Sequence, residues 1–204
     1  MHVLIVYCHP SKKSYTYDVL EQIKKHLEEE GIGYELSYLY AMDFRSDMSE
    51  AEYEREGAGH LTLPLPEDVQ KEHKKIERAD GILFLYPVWW SDCPAKLKGW
   101  FDRVYSVGYA YGTQESHPEK VMKKVDVGFV VCTAGHPVPF LEEIGIAESM
   151  RNVMIDDRLG KRFKYKEMMV LGGTLDKEKV RGMHSEMIQS IGKKMKRYSG
   201  NHLT

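Results

Sequence analysis

A loop with hydroxyl and basic side chains follows the first apolar run of the chain, residues 2–7, and precedes residues with helical spacing. His9, Ser14, Tyr15 and Thr16 lie in this loop beside a pair of lysines. Hydroxyl groups, positive charge and the free N–H groups of a helix N-terminus can together bind an anion. A solvated loop with a capping serine would have the same composition, so the loop alone leaves both interpretations open. Its position after the first strand of an α/β sheet favours a phosphate site.

Adjacent tryptophans stand at the end of a later apolar run, residues 81–86. The residues that follow this run are Pro87, Val88, Trp89, Trp90 and Ser91. Packing into the protein core is the commoner fate of tryptophan. In an open α/β sheet, however, ligands bind at the carboxyl ends of the strands. The position of the pair therefore favours an aromatic wall for a planar ligand.

A third loop consists of small residues and follows the apolar run at residues 125–132. Thr133, Ala134 and Gly135 would let the backbone approach a ligand closely. By itself this segment is typical of an ordinary strand-to-helix turn. Together, the three loops would offer an anion site, an aromatic wall and a close backbone approach at one sheet edge. This combination predicts a phosphorylated planar cofactor, either flavin mononucleotide (FMN) or flavin adenine dinucleotide (FAD).

The elements that would position these loops are short apolar runs that alternate with segments of helical spacing. Such alternation predicts a parallel sheet with helices on both faces, and right-handed crossovers leave few topologies. We predict an α/β fold, a flavodoxin-like three-layer α/β/α sandwich with a five-stranded parallel sheet of order 2-1-3-4-5, as a single domain over residues 1–204. Residues 42–67 are expected to be irregular. The strands are predicted at residues 2–7, 34–39, 81–86, 125–132 and 167–171. A closing helix is expected to bury Val180, Met183, Met187, Ile191 and Met195.

The composition argues against several classes of function. The net charge of −2, from 29 basic and 31 acidic residues, provides no basic face for a nucleic-acid backbone. The sequence has no apolar run long enough for a membrane span, and its amino terminus lacks the basic leader of a signal peptide. The histidines and cysteines show neither metal-ligand spacing nor a CxxC pair. We therefore expect a cytoplasmic protein with no metal site and no nucleic-acid partner.

Several short motifs occur in order along the chain. They are Cys8-His9-Pro10, Pro87-Val88-Trp89-Trp90, Lys98-Gly99-Trp100-Phe101-Asp102-Arg103-Val104, Tyr109-Ala110-Tyr111 and Thr133-Ala134-Gly135. Together they resemble the flavodoxin-like NAD(P)H:quinone oxidoreductases, a family that includes ancillary subunits of potassium-efflux systems. The resemblance extends over residues 1–135 and depends chiefly on the block at residues 98–104 with the upstream Pro-Val-Trp-Trp.

The resemblance implies a homodimer with a flavin at each of two sites near the subunit interface. It also implies ping-pong hydride transfer, in which NAD(P)H reduces the flavin and a quinone or similar planar acceptor reoxidises it. The residues implied to hold the phosphate are His9, Ser14, Tyr15 and Thr16. Those implied to line the flavin ring are Pro87, Val88, Trp89, Trp90 and Ser91, with Thr133, Ala134 and Gly135 at its pyrimidine side.

The resemblance assigns a catalytic role to Trp90 and Tyr111. Trp90 would stack on the flavin, and the backbone N–H groups of Trp90 and Ser91 would lie near its N5 and O4 atoms. Tyr111 matches an aromatic residue that the family presents to the acceptor pocket of the neighbouring subunit. Some members also place a tyrosine and a histidine after the third loop, and residues 140–147 contain no such pair.

The sequence leaves several alternatives open. Arg158, Lys161 and Arg162, in a segment that matches no family motif, could contact the phosphate of a nicotinamide dinucleotide or belong to a solvated loop. A flavin-binding regulatory subunit of a membrane transporter would carry similar loops. A flavodoxin-type electron carrier fits less well, because the net charge is near neutral and the first loop differs. FMN is favoured over FAD because no adenine pocket is evident, although residues 42–67 could supply one. The choice between NADH and NADPH stays open.

Overall fold

Five parallel strands form a single sheet in the order β2-β1-β3-β4-β5. The structure is a computed structural model that describes residues 1–112 and 121–199. The strands are β1 (His2–Tyr7), β2 (Gly33–Tyr38), β3 (Gly81–Pro87), β4 (Val125–Thr133) and β5 (Phe163–Leu171). The predicted strand order and parallel direction are therefore confirmed.

Helices cover both faces of this sheet. They are α1 (Tyr15–Glu29), α2 (Glu50–Ala58), α3 (Glu67–Arg78), α4 (Ala95–Val104), α5 (Val138–Glu143), α6 (Ile146–Arg151) and α7 (Lys177–Ser199), with a π-helical segment at Asn152–Leu159. α1 and α7 pack on one face of the sheet, whereas α3, α4 and the π-helical segment pack on the other. This arrangement confirms the predicted three-layer sandwich.

The central strands are apolar on both sides because each side faces a helical layer. In β1, Val3 and Ile5 pack beneath α1 and α7, while Leu4 and Val6 pack toward α3 and α4. Continuous apolar runs are typical of parallel strands buried on both faces. The register pairs Pro87 of β3 with Thr133 of β4, so the loops that follow these strands begin side by side.

The block at residues 98–104 forms most of α4 and fixes this helix to its neighbours. A Cβ atom on Gly99 would lie 2.2 Å from the carbonyl oxygen of Ser46, so the close approach of these backbones requires glycine. Trp100 is buried and donates its indole N–H to Glu72 of α3 at 2.8 Å. A buried arginine of the same helix pairs with carboxylates of α2 and α3. The most specific motif of the sequence therefore serves packing.

Residues 42–67 are more regular than predicted, because they contain α2. This helix begins with a capping box, in which the Ser49 hydroxyl accepts the Glu52 N–H and the Glu52 carboxylate accepts the Ser49 N–H. It ends at Gly59, whose φ of 64° lies in the left-handed region that glycine favours. The prediction of an irregular stretch is wrong, and the Ser-x-x-Glu spacing was the signal that marked the helix.

The carboxyl-terminal part also differs from its prediction. β5 begins at Phe163 rather than at residue 167. In α7, Met183 is exposed, whereas His184 and Ile188 are buried. Ile191 and Met195 are buried as predicted, whereas the buried face of the earlier turns runs through His184 and Ile188 instead of Met183 and Met187. A histidine can take the core position because its ring nitrogen finds a partner in α1, described below.

Candidate active site

Three loops meet at the carboxyl edge of the sheet. The buried hydroxyl groups of Thr16 and Thr133 lie 2.8 Å apart and join the first loop to the third. The N–H of Val88 donates to the carbonyl oxygen of Thr133 at 2.8 Å and joins the second loop to the third. The rings of His9 and Trp89 meet edge to face, with 6.0 Å between their centroids. The structure therefore brings together the three loops identified in the sequence.

The hydroxyl groups of the first loop are engaged within the protein. Ser14 caps α1, because its Oγ accepts the N–H of Tyr17 at 3.1 Å and donates to the carbonyl of Ser11 at 2.9 Å. The hydroxyl of Tyr15 lies 2.7 Å from Nδ1 of His184 in α7. These side chains shape the loop rather than project from it. His184, which the sequence did not single out, therefore fixes the beginning of α1 to α7 through Tyr15.

What the first loop offers an anion is its backbone and its exposed lysines. The N–H groups in the first turn of a helix have no intrahelical partner and carry the positive end of the helix dipole. Lys12 and Lys13 are exposed beside this turn. Burial lowers the pKa of the His9 imidazole more than the Ser11 carbonyl raises it, so His9 is neutral at pH 7. The loop fits a phosphate bound mainly by N–H groups.

The second loop is a tight turn in a left-handed conformation. Trp89 and Asp92 exchange backbone hydrogen bonds of 2.9 and 3.2 Å across it. Between them, φ is 48° at Trp90 and 64° at Ser91, and positive values at both central residues characterise a type I′ turn. Asn and Gly are preferred at these positions, and the left-handed region costs other residues about 1–2 kcal/mol each. Backbone strain of this kind tends to cluster at functional sites.

Trp90 stands at the tip of this turn with its side chain fully exposed, and Trp89 beside it is 41% exposed. Tryptophan is among the side chains that gain most from burial. A fully exposed indole on a strained turn therefore suits contact with a planar group or with a second protein surface.

The third loop is held against β5 and the residues after it. The N–H of Ala134 donates to the carbonyl of Leu171, and the hydroxyl of Thr174 donates to the carbonyl of Ala134, each at 3.0 Å. A Cβ atom on Gly135 would lie 3.4 Å from Cγ of the exposed Leu175. The loop is thus fixed in place while a glycine backbone lies at its surface, as a close approach to a ligand requires.

The cysteines near these loops are not arranged for chemistry of their own. Cys8, Cys93 and Cys132 are free and buried, and burial raises the pKa of each thiol to about 12. A thiol with such a pKa is protonated at neutral pH and is a poor nucleophile. Within residues 1–112 and 121–199, no group of three His, Cys, Asp or Glu side chains is placed to hold a metal ion. The cysteines act as small buried hydrophobic residues.

Tyr111 lies apart from the three loops. Its hydroxyl donates to Glu56 of α2 at 3.2 Å, and its side chain is about half exposed. Burial, followed by the charge of Glu56, raises the pKa of the phenol, so Tyr111 is protonated at neutral pH. Across the described ranges, no hydrogen bond or ring contact connects Tyr111 to the loops. Its predicted role therefore requires a neighbouring subunit.

Arg158 is a residue near the site that the sequence singled out without identifying its partner. Its buried guanidinium donates to both carboxylate oxygens of Asp92, at 2.9 and 3.0 Å, and lies 5.2 Å from the ring centroid of Phe101. The expectation of a solvated loop is therefore wrong at this residue. An aspartate as the last residue of the tryptophan turn was the available signal, because a carboxylate beside an apolar surface needs a partner. The sequence does not say which cation supplies it.

Two cavities of the described residues lie away from the three loops. One of about 540 Å³ lies between residues 61–65, α3 and residues 107–109, and another of about 540 Å³ lies between β5, α5, α6 and α7. Neither is lined by a residue of the three loops. A smaller cavity of about 360 Å³ has Tyr111 and Arg158 in its wall.

The residues present at the loops fit a phosphorylated planar cofactor. The N–H groups at the start of α1 that Ser14 does not cap can serve a phosphate, the exposed indole of Trp90 supplies a flat face, and the third loop supplies backbone at close range. This is the arrangement that a flavin would need.

Comparison with known proteins agrees with this assignment. A family model described as a flavodoxin-like fold matches residues 1–171. The solved structure of an NAD(P)H:quinone oxidoreductase from Methanothermobacter marburgensis superposes with a TM-score of 0.88 at 45% sequence identity, over 96% of this chain and 97% of that one. The chain belongs to the flavodoxin-like NAD(P)H:quinone oxidoreductase family. The resemblance inferred from the motifs is confirmed.

Curated members of this family match a smaller share of the chain. An uncharacterized NAD(P)H oxidoreductase of Haemophilus influenzae is 33% identical over 157 residues, which are 76% of this chain and 75% of that protein. NAD(P)H dehydrogenase (quinone) 1 of Cavia porcellus is 36% identical over 121 residues, 53% of this chain and 44% of that protein. The match thus spans less than half of the length of the mammalian relative.

Proposed function

We propose that the protein is a flavin-dependent NAD(P)H oxidoreductase that reduces quinones or similar planar acceptors. The observation that carries this proposal is the meeting of the three loops at one sheet edge, through the Thr16–Thr133, Val88–Thr133 and His9–Trp89 contacts. The Methanothermobacter protein, an NAD(P)H:quinone oxidoreductase matched over 97% of its chain, supports it.

The part of the protein in this reaction is to bind and orient. A bound flavin would supply the chemistry of hydride transfer between NAD(P)H and the acceptor. The first turn of α1, with His9, would hold the phosphate through N–H groups, and residues 87–91 would lie along the ring. Residues 133–135 would approach its other edge. We expect donor and acceptor to occupy the same site in turn, as a ping-pong scheme requires.

FMN is the form of flavin that we propose. FAD would need an additional apolar cleft for its adenine, next to the loops. The cavities of about 540 Å³ are lined by other parts of the protein. Heat release of the bound cofactor followed by chromatography against FMN and FAD standards distinguishes the two.

We also propose a homodimer. The indole of Trp90 is exposed and the ring of Tyr111 is half exposed, so both can contact a second subunit. In a dimer, Tyr111 of one subunit would face the acceptor site of the other, which explains why it does not reach its own loops. We also propose that residues 1–204 form a single flavin-binding domain, because α7 packs into the same core as α1.

No observation favours the alternatives of a transporter subunit or an electron carrier. In the part of the chain that the structure covers, no helix combines the length and the apolar character of a membrane span. A cytoplasmic location remains a prediction, to which the free thiols add support because they suit a reducing compartment.

The experiment that tests the proposal is an anaerobic absorbance titration of the purified protein. NADH or NADPH is added first and menadione afterwards. Flavin absorption that bleaches with the nucleotide and returns with the quinone is the expected result, and comparing the two nucleotides gives the preference. Bound flavin that stays oxidised would contradict the enzymatic function and favour a regulatory subunit or carrier. A protein that binds no flavin after reconstitution would overturn the proposal.

A further inference from the structure

The strained turn that presents Trp90 is fixed at its entrance and at its exit by different parts of the fold. On the entrance side, the N–H of Val88 donates to the carbonyl of Thr133 in β4. On the exit side, Asp92 is the last residue of the turn, and its carboxylate accepts the N–H of Cys93 at 2.7 Å. The same carboxylate binds the guanidinium of Arg158.

The bond between Asp92 and Arg158 has the geometry of a strong ion pair. One guanidinium nitrogen donates to Oδ1 of Asp92 at 2.9 Å and the other donates to Oδ2 at 3.0 Å, and paired contacts of this kind fix direction as well as distance. The Arg158 side chain is only 8% exposed, and it packs over Phe101 of α4 and against the sulfur of Met154 at 3.1 Å. Arg158 therefore holds Asp92 from a rigid position.

The charge of this pair is stable around neutral pH. Burial raises the pKa of the Asp92 carboxyl, but the hydrogen bonds from Arg158 and Cys93 lower it by more, so the net pKa is below its usual range. Burial acts on Arg158 in the opposite direction, and its bonds to Asp92 outweigh that effect. Both groups are thus charged wherever the protein is expected to work.

A turn with positive φ at two residues that carry side chains would relax if it were free, because each residue costs about 1–2 kcal/mol in this conformation. We propose that Arg158 is a positioning residue, which clamps Asp92 and so keeps Trp90 and Ser91 in the conformation that meets the flavin ring. This inference rests on the proposed function, since it concerns how the flavin is received. Arg158 itself lies in a π-helical segment, and such segments occur frequently at functional sites.

The test compares variants that break the clamp with opposite changes of charge. Arg158→Met removes a positive charge, Asp92→Asn removes a negative one, and the double variant has the net charge of the wild type. The readouts are the Kd of the apoprotein for FMN and the midpoint potential of the bound flavin. Hydrogen exchange of the Trp89 and Asp92 amides in the apoprotein reports on the turn without a cofactor.

If Arg158 clamps Asp92, the midpoint potential of the bound flavin should shift in the same direction in all three variants. We expect about tenfold weaker binding of the reduced flavin relative to the oxidised form, which is a fall of about 30 mV in a two-electron potential. Both single variants and the double variant should show it, together with faster exchange of the two amides. Arg158→Lys, which retains the charge but not the paired contact, should lie between the wild type and Arg158→Met.

Several results would overturn the inference. If charge alone matters, Arg158→Met and Asp92→Asn shift the potential in opposite directions and the double variant restores it. If Arg158 is merely structural, the variants unfold more readily but retain the wild-type potential, as expected for the control Arg78→Met, which breaks a distant ion pair with Glu35. A wild type that binds no flavin would overturn the proposed function and this inference with it. Normal flavin binding by the wild type with an unchanged potential in Arg158→Met would overturn the inference alone.

Discussion

Trp90 and Trp100 belong to the same short stretch of sequence and have opposite environments. Trp100 lies in α4 with no exposed surface, donates its indole N–H to Glu72, and meets the rings of Phe84 and Phe101 with centroids 5.6 and 5.3 Å apart. Trp90 lies on a left-handed turn with its side chain wholly in solvent. Every group of Trp100 is satisfied inside the protein, whereas Trp90 has no such partner among the described residues.

This difference separates what the fold needs from what the ligand needs. A buried tryptophan adds to stability through packing and a hydrogen bond to a buried carboxylate. An exposed one on a strained backbone lowers stability, so its presence is better explained by a contact made outside the chain. Substitutions at the two positions should therefore affect different measurements.

The largest effect is expected for Trp100→Ala. It removes the packing of a fully buried ring and the N–H donor of Glu72, so the free energy of unfolding should fall by about 3–5 kcal/mol. Urea denaturation followed by circular dichroism measures this. Trp100→Phe retains most of the packing and should lose about 1.5 kcal/mol with the indole hydrogen bond to Glu72, whose carboxylate Ser37 and Lys75 continue to bind. A loss below 1 kcal/mol for the alanine variant would contradict the role of Trp100 in the core.

Trp90→Ala should have the reverse profile. The free energy of unfolding should change by less than about 0.5 kcal/mol, as for other exposed positions. Stacking of a flat ring on an aromatic side chain is worth about 1–3 kcal/mol, so the Kd for FMN should rise about tenfold or more. Tyr53→Ala, at an exposed aromatic residue of α2, is the matched control and should leave FMN binding unchanged. Equal affinities in wild type and Trp90→Ala would exclude stacking.

The sequence was sufficient to predict the features that follow from local residue patterns and from sheet topology. The apolar run of β1 matches its strand at both ends, and once the strands are parallel, the loops after β1, β3 and β4 must share one edge. The capping box of α2 was also present in the sequence, although its meaning was missed. These features depend on residues that are close in sequence or on rules for connecting strands.

The partners of the site could not be predicted in this way. Asp92 meets Arg158, and Tyr15 meets His184, across separations of 66 and 169 residues. Either pairing depends on the angle at which a distant segment packs, which no local pattern encodes. The contrast between the tryptophans is of the same kind, because the turn that exposes Trp90 departs from the Asn and Gly preference of such turns.

Ser14→Ala should have smaller effects, one on the stability of the fold and one on the binding of FMN. Loss of a helix cap costs about 1 kcal/mol of stability. Because Ser14 also shapes the loop beside the first turn of α1, the affinity for FMN should fall about fivefold while that for riboflavin, which has no phosphate, should not. Ser49→Ala removes the cap of α2 and serves as the control, with a similar loss of stability and no change in either affinity. Isothermal titration of the apoproteins measures both ligands, and an equal loss for FMN and riboflavin would argue against a phosphate site in this loop.

The smallest effect is expected for Ser91→Gly, which relieves the backbone strain of the turn. Ser91 has a φ of 64°, a value that glycine adopts without the clash of a Cβ atom. Ser91→Gly should therefore gain about 1–2 kcal/mol from the folded turn and lose about 0.4–1 kcal/mol through the greater freedom of the unfolded chain. The net result is a protein about 0.8 kcal/mol more stable. Ser91→Ala retains the strain and should be no more stable than the wild type in the same urea titration. If glycine lowered stability instead, the turn would not be strained at Ser91, and the contrast between a satisfied Trp100 and a costly Trp90 turn would lose its energetic basis.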